Sequence, residues 1–430
     1  MDFNKIEHFD MNKKPMKQNF FIRSLFNILT FLLTCGHPFK INKDKRLKDL
    51  KEPHLILLNH TSMADLKFMV RMNKRQKFNY VIALDAFLDA SFTHLQEFIM
   101  RNYGAIAKRK FTNDRYLVKQ MKYALTKNKH NVVMYPEARF CLSGTFSSTP
   151  ESLGKVIKVL GVPVVTNQTL GTYISQPCWS DKVDRNAPIE ANIKYLLTKE
   201  EVEELSYEEI NQRIIEALDY NDFDYQLDRG IKIKYKKRAE GINHILYQCP
   251  HCLKEHKMYS HRTKFWCGEC KHEWEFLENG RLKATNGETY FDNIPDWFEW
   301  ERENVRQEIL RGEYNFDDDV MIYSLPNVKK LLPVGVGHLT HSVEKGFHLT
   351  GHFGDYHIDV EREPLSMYSC HVEYNFWKHG ECLDISTLDD TFFVHALNHR
   401  DILTKFHFAT EEIYKIQQLK LQEEKNKGSN

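Results

Sequence analysis

The stretch "LILLNHTSMAD" carries His60 and, one short turn later, Asp65, directly after an apolar run that has the length of a buried strand. A carboxylate folded back onto one imidazole nitrogen fixes the tautomer and supports the imidazolium, which makes the pair a general base for a hydroxyl. Further along, Glu137 and Arg139 follow the apolar run "NVVMY". Both pairs therefore fall at carboxyl ends of expected strands, where open α/β sheets assemble their sites. The chain contains no G-x-S-x-G, so a serine nucleophile elbow is excluded. Direct attack of an acceptor hydroxyl on an activated acyl group suits the residues present.

A second chemistry is written in cysteine. Cys249, Cys252, Cys267 and Cys270 stand in C-x2-C-x14-C-x2-C spacing, the pattern of a zinc ribbon. Four thiolates close a tetrahedral shell and leave no position for water, so a structural zinc is expected. Lys254, Lys257, Arg262, Lys264 and Lys271 surround the ribbon, but few base-stacking aromatics interleave them, and no nucleic-acid partner is expected. The remaining five cysteines fit buried or incidental thiols, and the histidines of "VGHLTHSVEKGFHLTGHFGDYH" fit surface or packed side chains.

Elements that could position these groups follow from hydrophobic periodicity. Strands are expected at "HLILLN", "NYVIAL", "NVVMYP" and "VPVVTNQ", alternating with helical patterns, the signature of a mostly parallel sheet flanked by helices. Leu117, Met121, Ala124 and Leu125 mark an amphipathic helix capped by Thr112, Asn113 or Asp114. The acidic "TKEEVEELSYEEINQRIIEAL" closes that domain as a helix pair. After the cysteine pairs come short alternating segments broken by Gly and Pro, then the helical "TEEIYKIQQLKLQEEKN". The expected organisation is an N-terminal basic, amphipathic, membrane-associated segment at 1–50, an α/β domain at 51–220, a four-cysteine zinc ribbon at 244–277, and a β-rich domain with a terminal helix at 278–430.

Sixty Lys plus Arg against 59 Asp plus Glu leave the chain nearly neutral, so only local charge can inform on partners. Residues 1–51 and 101–130 are the basic stretches, and each could face phosphate, an anionic membrane surface or solvent. Within "NFFIRSLFNILTFLLTCG", Arg23, Asn27, Thr30 and Thr34 form one polar stripe opposite a broad apolar face, a pattern for a helix lying in a membrane interface. Its apolar run is shorter than the ~20 residues a bilayer crossing needs.

The order N-H-x-x-x-x-D, "YGAIAKRK", "YPEARF" and "GVPVV" resembles the four motifs of the glycerolipid acyltransferase family, to which 1-acylglycerol-3-phosphate acyltransferases belong. The likeness covers roughly residues 50–200. It implies transfer of a fatty acyl chain from acyl-CoA or acyl carrier protein to a hydroxyl of a lysophospholipid, with 1-acylglycerol-3-phosphate as the first expectation. By the same likeness His60 is the catalytic base and Asp65 its partner. Gly104, Ile106, Arg109 and Lys110 match the acceptor-binding second motif, with Arg109 favoured for the phosphate because it can present a bidentate fork. Glu137 would hold a glycerol hydroxyl and Arg139 would bind substrate, while Val162 and Pro163 match the fourth motif as core. The family's third motif runs aromatic, Pro, Glu, Gly, Thr, Arg; here Tyr135-Pro136-Glu137-Ala138-Arg139 is one residue short, which bears on the acceptor. The resulting expectation is a peripheral acyltransferase on the cytoplasmic face of a membrane. The alternatives are a lipid-binding or scaffold protein on the same fold, and an acyltransferase with a different acceptor.

Overall fold

In a computed structural model the described residues are 6–428 apart from 89–92, 113, 182 and 377–379. Three sheets follow one another along the chain. The first contains β1 (Phe39–Lys43), β2 (Leu55–Leu58), β3 (Phe78–Ala83), β4 (Ala105–Lys108), β5 (Asn131–Met134), β6 (Val164–Leu170) and β7 (Ile189–Leu197) in the order β1-β7-β6-β2-β5-β3-β4. Every neighbouring pair is parallel except β6 with β7. Helices α1 (Phe20–Thr34), α2 (Asp65–Asn73), α3 (Thr93–Asn102), α4 (Arg115–Tyr123), α5 (Ser152–Leu160), α6 (Thr172–Ser175), α7 (Lys199–Glu204), α8 (Tyr207–Leu218) and α9 (Asp222–Asp228) surround it.

β2 is central, and its four residues are all buried. Leu55 and Leu57 join one apolar cluster with Met121, Ile157 and Ile210, whereas Ile56 and Leu58 join another with Met69, Phe78 and Tyr80. Burial on both faces explains why this strand is an unbroken apolar run rather than an alternating one. Asp114 caps α4 by accepting the Tyr116 and Leu117 amides at 2.8 and 3.1 Å. Asn113, the neighbouring candidate cap, lies outside the described residues.

The second sheet is a small antiparallel ribbon of β8 (Met258–His261), β9 (Lys264–Cys267), β10 (Glu273–Phe276) and β11 (Leu282–Ala284). Trp274 on β10 meets Trp297 of α10 (Ile294–Leu310) edge to face at 4.9 Å, both fully buried. The third sheet is antiparallel throughout, in the order β15-β14-β13-β12-β18-β17-β16. Its strands are β12 (Asn315–Ser324), β13 (Leu332–Ser342), β14 (Gly346–Phe353), β15 (Tyr356–Arg362), β16 (His371–Glu373), β17 (Cys382–Ser386) and β18 (Thr391–Ala396), followed by α11 (Leu403–Gly428). This is the expected fold class: a mostly parallel sheet with flanking helices, a cysteine-rich ribbon, and a β-rich region ending in a helix.

A single apolar cluster joins these parts. It runs from Phe111, Leu142, Tyr173 and Trp179 beside the first sheet, through Phe265 and Trp274, to Phe316, Leu349 and Phe406. At the ribbon boundary, His244 Nδ1 lies 3.0 Å from Glu381 and 2.8 Å from Asp401. Burial pulls the imidazole pKa down, but the bonds to Asp401 and Glu381 outweigh it and lift it to about 9. A histidine raised in this way stabilises the fold fully below its ordinary pKa of about 6.5 and loses that contribution as pH climbs toward the folded value. Urea midpoints of the native chain should therefore fall between pH 6.5 and 9, and His244→Gln should flatten that fall; an unchanged profile in the variant would locate the titration elsewhere.

Candidate active site and metal centre

The carboxyl end of β2 is tied to that of β6 through Asn59, which donates to Thr169 O at 2.8 Å and accepts the Thr169 amide at 2.7 Å. His60 follows. Its Nδ1 sits 3.0 Å from Asp65 Oδ2, and Asp65 opens α2. The Asp65 carboxylate is buried and heavily donated to: the amides of Thr61 and Ser62 reach Oδ2 at 2.6 and 2.9 Å, and Thr61 Oγ1 reaches Oδ1 at 2.9 Å. Thr61 Oγ1 also meets Thr172 Oγ1 on α6. An acceptor-only carboxylate on Nδ1 places the ring proton there and leaves Nε2 as the basic nitrogen.

The ring is held on both sides. Tyr135 stacks on it at 4.2 Å and Phe140 approaches at 4.4 Å. From the neighbouring strand end, Glu137 Oε1 accepts the backbone N–H of His60 at 2.6 Å, and its Oε2 accepts the amide and hydroxyl of Ser147. Burial, the dominant influence, raises the Glu137 carboxyl above its ordinary value, against the opposing pull of Ser147 and His60. In this arrangement Glu137 positions the histidine loop. The short third motif turns through Ala138 at φ +59°, a left-handed conformation that costs a residue with a Cβ roughly 1–2 kcal/mol.

The basic residues expected to meet substrate have other partners. Arg109, 2% exposed, donates to Thr391 Oγ1 at 2.9 Å and to the carbonyls of Leu325, Pro326 and Asp389 at 2.7–3.3 Å. Burial pulls its pKa down to about 10. Lys110 bridges Asp85 at 3.1 Å and Asp384 at 2.8 Å, and although burial lowers its pKa, the two carboxylates raise it overall. Arg139 pairs with Glu411 of α11 at 2.7 Å and donates Nε to Ser369 at 3.0 Å. All three cations thus engage the third sheet or its terminal helix. Gly104 lies at the amino end of β4, the opposite end of the parallel sheet from His60 and Glu137. Its φ is +98°, and a Cβ would meet Phe78 O at 2.9 Å, so glycine is required there by the backbone.

His60, Asp65 and Glu137 are therefore brought together, while Arg109, Lys110 and Arg139 line the seam with the C-terminal region. Sequence reasoning missed Thr61, Tyr135, Phe140, Ser147 and Glu411 as members of this neighbourhood. The adjacency of Thr61 to His60 was a usable signal; Glu411, 272 residues from Arg139, carried none.

The four cysteines of the ribbon converge. Their sulfurs lie within 4.8 Å of one another, with Cys249–Cys270 at 3.6 Å and Cys252–Cys267 at 3.7 Å. Disulfide sulfurs would stand about 2.05 Å apart, whereas a tetrahedral ion with bonds of about 2.3 Å spaces its ligands near these distances. The two turns match: the amides of Leu253 and Lys271 donate to the carbonyls of Cys249 and Cys267 at 2.8 and 3.0 Å, and both residues have φ +62°. All-sulfur donors suit zinc.

Residues 39–168 match the family model described as Acyltransferase. No curated protein matches the chain. Among solved structures, the 1-acyl-sn-glycerophosphate (LPA) acyltransferase PlsC from Thermotoga maritima is similar at 16% identity over 46% of this chain and 77% of that one, with a TM-score of 0.35.

Metal analysis of protein purified without added zinc should return about one zinc per chain. Cys249→Ser should lose most of it and lower Tm, because the buried Trp274–Trp297 core rests on the ribbon; full metal retention in that variant would exclude the four-sulfur site.

Proposed function

We propose that this protein transfers a fatty acyl group from a thioester carrier, acyl-CoA or acyl carrier protein, to the free hydroxyl of a lysophospholipid in phospholipid synthesis. The observation that carries the reading is the His60–Asp65 pair, set in a domain that matches the Acyltransferase model. In the proposed step His60 Nε2 takes the proton of the acceptor hydroxyl as its oxygen attacks the thioester carbonyl carbon. The C–S bond then breaks, and the departing thiolate receives that proton from the imidazolium. Asp65 holds the tautomer throughout and stabilises the imidazolium. A zinc held by Cys249, Cys252, Cys267 and Cys270 would be closed off by four thiolates and would serve the fold, not this step.

Delivery of a lipid acceptor is supported by α1. Its polar stripe faces the protein: Arg23 donates to the carbonyls of Lys74 and Gln76, and Thr30 and Thr34 are buried. Its apolar side is left outward, with Phe21 79%, Ile28 59% and Leu33 65% exposed. Among the described residues no helix is long and apolar enough to cross a membrane. We read α1 as lying in the surface of an anionic membrane, on its cytoplasmic face, with Lys13, Lys14 and Lys17 nearby in sequence.

His60→Ala should lower acyl transfer to lysophosphatidate or another lysophospholipid by about 10²- to 10⁴-fold while leaving the fold intact by circular dichroism; full turnover in that variant would refute the mechanism. A scaffold on this fold, a reading favoured by the engagement of Arg109, Lys110 and Arg139 with the C-terminal region, would form no product even as wild type. Co-sedimentation with vesicles rich in anionic lipid should be strong for the native chain and largely lost in Phe21→Asp/Leu29→Asp, both sites being solvent-exposed; equal binding would move the membrane contact elsewhere.

A further inference from the structure

Between the loop that follows the short third motif and the two C-terminal helices lies a cavity of about 200 Å³. Ser143, Ser147 and Ser148 line one wall, and Arg302 of α10 and Lys415 of α11 line the other. Two hydrogen bonds link it to the loop that carries the candidate base, since Ser147 donates to Glu137 and Glu137 accepts the His60 backbone N–H. Sites for drug-sized ligands begin near about 300 Å³, so this space admits a lipid head group and not coenzyme A.

The charges around it cancel. Arg139, Arg302 and Lys415 contribute three positive charges, against Glu299 and Glu411 on the wall and Glu412 behind Lys415. Glu411 holds two of the cations, Arg139 at 2.7 Å and Arg302 at 2.6 Å. A phosphomonoester brings a charge of about −1.5 to −2 at neutral pH, because its second pKa is near 6. A region whose fixed charges sum to zero does not compensate that. A phosphodiester brings a single negative charge, which an amine in the same head group can offset internally.

Building on the acyl-transfer reading, we propose that this two-domain cleft is the head-group subsite of the acceptor, and that it takes a phosphodiester head group in preference to the phosphomonoester of lysophosphatidate. Lys415, half exposed, meets the phosphodiester oxygens, Arg302 stays with Glu299, Glu411 and Glu412 as the positive wall behind it, and the serine hydroxyls meet the polar end of the head. The C-terminal region thereby sets acceptor specificity, and the chemistry stays at His60.

Purified full-length protein, with acyl-CoA as donor, is assayed in mixed micelles against lysophosphatidylethanolamine, lysophosphatidylglycerol and lysophosphatidate. The expected result is a kcat/KM at least about tenfold higher for lysophosphatidylethanolamine than for lysophosphatidate, with lysophosphatidylglycerol, whose single charge no amine offsets, between them, and a KM for lysophosphatidylethanolamine raised about tenfold by Lys415→Met, the low end for loss of a hydrogen bond to a charged group. The KM for acyl-CoA should stay constant. Arg302→Gln should act in the same direction, and Lys415, half exposed, provides the variant that keeps its fold. Preference for lysophosphatidate, or an unchanged acceptor KM in Lys415→Met, overturns the cleft assignment and leaves acyl transfer standing. Failure to acylate any of the three acceptors overturns both.

Discussion

An unpaired charge in a protein interior costs several kcal/mol, and that constraint organises this molecule. Arg109, Lys110 and Arg139 emerge from the first sheet at positions covered by protein. Their partners, Thr391 and the Leu325, Pro326 and Asp389 carbonyls, Asp384, and Glu411, all belong to the third sheet, its loops or its helix. Without that region Arg109 would lose every partner just named, Arg139 would lose its carboxylate, and Lys110 would keep Asp85 alone. The same seam carries the apolar cluster that spans Leu142, Phe265 and Phe406, so the regions share one interior. Residues 39–168, which match the Acyltransferase model, are here built into a larger unit.

The candidate site shows the same economy of partners at shorter range. Asp65 has little freedom, with three donors from Thr61 and Ser62 besides the imidazole. A carboxylate so satisfied stays in place while the ring it supports gains and loses a proton. Glu137 adds a second tether from the adjacent strand end, through the His60 backbone. The loop is therefore fixed by two carboxylates, one acting on the ring and one on the chain.

The amphipathic helix α1 reverses the usual arrangement of a surface helix. Its narrow polar stripe docks on the protein because Arg23 donates to the Lys74 and Gln76 carbonyls and Arg71 of α2 donates to Thr34, whose hydroxyl, like that of Thr30, is satisfied within the helix; the apolar side remains outward. An exposed apolar face of this kind marks a surface that something apolar covers. The ribbon makes the opposite case: Cys249, Cys267 and Trp274 are buried, and Trp274 packs on Trp297 of α10, whose Phe298, Glu299 and Arg302 line the cleft.

By itself the sequence determined the strands with buried apolar runs, the four-cysteine cluster and the His60–Asp65 pair. Each is a local pattern: period, spacing or adjacency is the whole signal. β1, β4 and β7 escaped that reading, since "FKINK" is a polar edge strand, "AIAK" is an edge strand of small residues with a single branched side chain, and "IEANIKYLL" mixes both periods. Tertiary structure alone decided where the basic residues of the second and third motifs point. Spacing reveals that a cation is present, but the partner that neutralises it, such as Glu411 for Arg139 across 272 residues, is chosen by packing and not by neighbours in the chain.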